Sequence, residues 1–121
     1  MADFAVTTSF ADGLTGLTKS QSDTFTLTGN DFDHKLVTVT TGEYTWTLPT
    51  GIGSAGYMFI KNHDTTGSAL NYVDVGVATT VYFCRLYPGQ SGIFPVAPTT
   101  SAIYLKAGTA SVFVEAFIRE A

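Results

Sequence analysis

Hydrophobic and polar residues alternate with a period of two along most of the chain, the pattern of strands with one buried face. In residues 24–28, Phe25 and Leu27 share one face and threonines fill the other. Residues 35–41 set Val37 and Val39 together, residues 44–48 set Tyr44, Trp46 and Leu48 in phase, and residues 71–75 pair Val73 with Val75. Toward the end, Ile103 and Leu105 point one way, as do Val112, Val114, Ala116 and Ile118. Two runs, 57–60 and 81–84, are apolar at every position, which predicts strands covered on both sides. Residues 4–8 predict a further strand. Thr and Val dominate these segments, and their branched side chains suit a pleated surface.

Turn residues separate the segments: Gly29 to Asp31, Thr41-Gly42, Pro49 to Gly51, Asp64 to Gly67, Pro88-Gly89 and Ala107-Gly108. No stretch keeps a helical period. Roughly eight to ten short strands with polar turns predict an all-β chain, an antiparallel β-sandwich of jelly-roll type. Residues 11–22, with Gly13, Gly16, Ser20 and Ser22, predict a long loop. The chain then divides into an N-terminal strand or arm with its loop, residues 1–22, and one sandwich domain, residues 23–121.

Composition sharpens this picture. With 121 residues the chain fits one domain with a real core. Only 13% of residues are charged, while Thr supplies 20 positions and Gly 12, which argues against a disordered chain or a helical bundle. Six Lys and Arg against ten Asp and Glu leave no basic face for nucleic acid. The single cysteine, Cys84, lies in an apolar run and predicts a small core residue. No signal-like segment opens the sequence and no apolar run reaches membrane length. The expectation is folding in a reducing cytosol, with no membrane partner.

Candidate chemistry is sparse. Residues 51–56 spell G-x-G-x-x-G, and Asp74 follows 18 residues after Gly56. A dinucleotide site needs that motif to open a helix, and the apolar run at Tyr57 predicts a strand instead. Asn30, Asp31, Asp33 and His34 gather possible metal ligands, but the calcium-loop spacing with its closing Glu is absent, and a zinc site would have only two His to draw on. His63 and Asp64 lack any Ser or Cys marked as a nucleophile. Asp74 and Glu115 are acids on predicted strands, the minimum for glycoside cleavage and no more. The chain is therefore expected to be no enzyme, with no cofactor and no metal.

The last strand says most about partners. Val112, Val114, Ala116 and Ile118 take one face, leaving Phe113, Glu115 and Phe117 on the other. Two Phe rings on an outer face call for cover by a second layer or a neighbouring subunit. Tyr104, out of phase with Ile103 and Leu105, is expected on the same surface.

Residues 57–62 (YMFIKN), 72–76 (YVDVG) and 86–95 (LYPGQSGIFP), with the closing pair 102–107 (AIYLKA) and 110–118 (ASVFVEAFI), resemble small virion proteins of tailed bacteriophages. The likeness spans residues 57–118, about half the chain. It implies a β-sandwich structural subunit of the particle, a capsid decoration (cement) protein or a tail-associated component, and carries no catalytic residue. The expected function is a homotrimeric decoration protein that bridges subunits of the major capsid protein, assembled in the host cytoplasm and resident in the virion. Tyr104, Phe113 and Phe117 are expected at the subunit interface, and Phe4, Val6 and Phe10 on an arm that contacts the capsid. The alternative is a tail or fibre domain that binds host-surface glycans.

Overall fold

The computed structural model describes residues 2–27, 31–65 and 67–120. Ten strands form among them and no helix: β1 (Ala2–Ala11), β2 (Thr18–Leu27), β3 (Phe32–Val39), β4 (Tyr44–Thr47), β5 (Ala55–Asn62), β6 (Val73–Gly76), β7 (Cys84–Leu86), β8 (Ser91–Pro95), β9 (Ala102–Ala107) and β10 (Val112–Glu120).

Strands β3 to β10 pair as nested antiparallel couples: β3 with β10, β4 with β9, β5 with β8, and β6 with β7. Successive couples fall alternately into two sheets, which are closed by β10 pairing with β5 and β9 with β6. The sheet orders β3-β10-β5-β8 and β4-β9-β6-β7 are those of a jelly roll, a long hairpin rolled into a two-layer sandwich. Each strand then buries alternate residues between the layers.

The first sheet contributes Val39, Met58, Ile60, Val112, Val114, Ala116 and Ile118 to the core. The second contributes Trp46, Val73, Val75, Ile103, Leu105 and Ala107. Each large aliphatic side chain so buried contributes about 1.5–3 kcal/mol. Two polar ties cross between the layers. Trp46 Nε1 donates to Asp33 Oδ2 at 2.7 Å. Asn62, fully buried on β5, donates from Nδ2 to the carbonyls of Asn71 and Leu86 and accepts from Asp64 N at Oδ1. Gly76 ends β6 where the backbone of Val81 passes, and a Cβ there would meet the Val81 carbonyl oxygen.

Residues 2–27 form a separate two-stranded sheet, with β1 and β2 paired from Ala2↔Leu27 to Ala11↔Thr18. This corrects the expected loop over 11–22. Residues 18–22 are strand, only 12–17 turn, and the expected boundary after residue 22 falls inside β2. Thr18, Lys19, Ser20, Gln21 and Ser22 carry no apolar alternation because both faces of the hairpin are wet: residues 7–24 are all exposed. Asp12 orders the turn. Its carboxylate accepts from Leu14 N and Thr15 Oγ1, and its backbone bonds Leu17 O and Gly16 N. Gly16 sits at φ 73°, a left-handed conformation suited to glycine. The side-chain placement expected for Phe25 and Leu27, and the whole of Asn30, lie outside the described part of the structure.

Both fully apolar runs differ from expectation. On β5, Met58 and Ile60 enter the core while Tyr57 and Phe59 lie half-buried on the outer face. In the other run only Cys84 belongs to a strand, and Val81 and Phe83 are 65% and 51% exposed. Phe83 instead meets Phe94 edge-on at 5.2 Å. Cys84 is half-buried against the core, and this burial pushes its thiol up, away from the reactive thiolate. The turn before β7 is clamped by Glu43, which accepts from Thr79 Oγ1, Thr80 N and the Tyr82 hydroxyl.

Candidate functional site

The outer face of the first sheet collects the side chains with chemistry to offer. Strand β10 lies between β3 and β5, and its odd-numbered residues point away from the core. Register places Glu115 between Leu36 and Lys61, Phe117 between His34 and Phe59, and Arg119 between Phe32 and Tyr57. The Phe117 row continues on β8, where Phe59 pairs with Ile93. The face is thus an aromatic row flanked by charged positions.

Two histidines reach diagonally to one carboxylate. His34 Nε2 lies 2.8 Å from Glu115 Oε2, and His63 Nε2 lies 2.7 Å from Glu115 Oε1. A backbone bond from His63 N to Phe113 O holds the second ring beside β10. Hydrogen bonds from His63 and then His34 hold the Glu115 carboxyl below the usual carboxylate range. In a neutral imidazole the Nε2–H is the donor, so Nδ1 is the unprotonated nitrogen.

Beside this trio lies a shallow hollow of about 330 Å³, lined by Phe32, His34, Phe59, Glu115 and Phe117. The Phe32 and Phe117 ring centroids are 6.0 Å apart with their planes tilted by 30°, so two aromatic rings lie together at the floor of the hollow. Phe32 is 60% exposed and Phe113, farther along β10, 45%.

The expected interface residues separate. Phe113 and Phe117 share this face, but Tyr104 is on β9, in the other sheet, and points out on the opposite side of the sandwich. Consecutive strands β9 and β10 enter different layers because the nested couples alternate between sheets. The arm residues also divide. Phe4 stacks on Tyr57 of the sandwich, centroids 5.3 Å apart, and Val6 is buried, whereas Phe10 is 54% exposed.

Other candidate chemistry is engaged within the fold. Gly53 N donates to Glu120 Oε2, so a carboxylate occupies the glycine-rich loop where a phosphate would need to sit. Asp33 serves Trp46 and His34 serves Glu115. Asp74, on the outer side of the second sheet, takes two hydrogen bonds from Arg85, which lies 3.7 Å over the Tyr72 ring. Asp74 and Glu115 therefore face opposite sides of the sandwich and cannot flank one glycosidic bond. Asp64 accepts from Asn71 Nδ2 while His63 Nε2 is turned to Glu115.

Sequence reasoning did not find the His34–Glu115–His63 trio. Its members are far apart in the chain, and only the placement of β10 between β3 and β5 brings them together. Comparison with protein-family models, with curated proteins and with solved structures gives no match to this chain.

Proposed function

We propose that this chain is a non-enzymatic structural subunit of a tailed-phage virion, a capsid decoration protein that works as a homotrimer and adds bridging contacts over the major capsid protein. The observation that carries this reading is the N-terminal arm. Two ten-residue strands and their turn extend from the sandwich, paired with each other and with no other strand among the described residues. An isolated hairpin is marginal in water and leaves two strand edges open to another chain. Among the described residues, Phe4 stacks on Tyr57 of the sandwich and Val6 is buried. The rest presents Phe10, Leu14 and Leu17 to the surroundings.

An arm of this size matches what assembly requires. A standard interface uses about 20–30 residues a side, and each Å² of apolar surface hidden contributes roughly 25 cal/mol before association costs. Repetition by symmetry multiplies that gain over a shell. The resemblance of residues 57–118 to small phage virion proteins points the same way. Quantitative mass spectrometry of purified particles tests the reading. Copy numbers on the order of hundreds support a shell component, since shell symmetry repeats each contact. A few copies assign the chain to the tail, and absence from the particle refutes the proposal.

A further inference from the structure

We propose that the hollow on the outer face of the first sheet is a saccharide site, seating one pyranose ring on Phe117 and Phe32 with its hydroxyls on Glu115. The combination of groups at this face carries the proposal independently of the virion reading. A pyranose has an apolar C–H face and a rim of hydroxyls, and the hollow offers the complement of both. Phe32 and Phe117 provide an aromatic floor of two rings 6.0 Å apart, and Phe59 extends it on the neighbouring strand.

Glu115 stands at the edge of that floor as a fixed acceptor. A carboxylate has about four lone-pair sites, and the two histidines occupy one on each oxygen. One site on each oxygen remains, the arrangement that two adjacent hydroxyls of a sugar satisfy together. The histidines come from β3 and from the residue following β5, so the carboxylate is held from both sides before a ligand arrives. Such preorganisation lowers the ordering cost of binding. The volume, about 330 Å³, lies at the small end of ligand sites and suits a single ring.

The rival occupant is an apolar face of a second copy. It would strip water from Glu115 and both histidines without replacing their remaining hydrogen bonds, an unfavourable exchange. A sugar replaces them. The polar trio within an aromatic row therefore selects an amphiphilic ring over a dry protein contact.

Saturation-transfer NMR on the full chain, with methyl glucoside, methyl galactoside and N-acetylglucosamine as probes, tests the site. Transfer to the ring C–H protons of at least one probe is expected, with millimolar affinity. Glu115→Gln and Phe117→Leu should each weaken it about tenfold, the effect of one lost charged hydrogen bond or one lost stacking surface. Phe32→Ser, at an exposed position, gives the same readout should Phe117→Leu disturb folding. Tyr104→Leu, on the opposite sheet, should leave binding unchanged. No transfer from any probe, or transfer indifferent to these changes at the hollow, overturns the proposal. So does a Phe117→Leu variant that alters the mass in light scattering while no probe binds, which would assign the face to self-association.

Discussion

Trp46 and Asp33 join the two layers of the sandwich: the indole of β4 in one sheet donates to the carboxylate of β3 in the other at 2.7 Å. The ring is 1% exposed and lies in the core cluster, so its N–H has no water to turn to. Trp46→Phe keeps most of the apolar contact but leaves the carboxylate short of a partner in a partly buried place. A loss of about 2 kcal/mol is expected, within the range for an unsatisfied buried group. Chemical denaturation followed by circular dichroism measures it, and Asp33→Asn, which keeps an acceptor oxygen, should cost less.

Asn62 is a second tie. Its amide serves the carbonyls of Asn71 and Leu86 and its oxygen takes the Asp64 N–H, with Asn62 itself fully buried. Asn62→Leu fits an apolar core by volume yet removes the side-chain partner of all three groups. The expected cost is about 3 kcal/mol, roughly a 10 °C fall in melting temperature for a domain of this size. Calorimetry checks it. A change within error would show that these backbone groups find water instead.

The Glu115 carboxyl gives the fold a pH dependence of known sign. Hydrogen bonds from His63 and His34 lower its pKa below the ordinary 4.5, so its contribution to stability is present above that value. It is lost as pH falls through the lowered value, where the folded state must also take up the proton. Melting curves of the native chain and Glu115→Gln should therefore differ at neutral pH and converge toward strong acid. A difference that grows on acidification contradicts this assignment.

The alternation of Val112, Val114, Ala116 and Ile118 was legible because one face of β10 is dry and the other is not. The same holds for Val73 and Val75, for Ile103 and Leu105, and for Trp46 with Leu48. Residues 18–22 gave no such signal, since a hairpin wet on both faces imposes no apolar period. The run 81–84 looked like a covered strand, but apolar composition alone does not state which residues meet water, and Val81 and Phe83 stay exposed. Phe113 and Phe117 could be read as outward. That Tyr104 faces the other way, and that His34 and His63 share Glu115, depends on strand order, which no local pattern encodes.

The arm separates folding from assembly. Phe10 and Leu14 are exposed at 54% and 95%. Phe10→Ser with Leu14→Ser removes apolar surface that the isolated chain does not bury. The melting temperature should stay within about 2 °C of the native value, as for surface changes away from special features. Retention on purified particles in a sedimentation assay should fall steeply. Unchanged retention would show that the arm makes no contact there.

Cryo-electron microscopy of the particle measures the central claim most directly. The account predicts density for this jelly roll repeated over the capsid surface, with the hairpin of residues 2–27 lying against another polypeptide. A shell without that density, or a hairpin that ends in solvent beside its own sandwich, would contradict it.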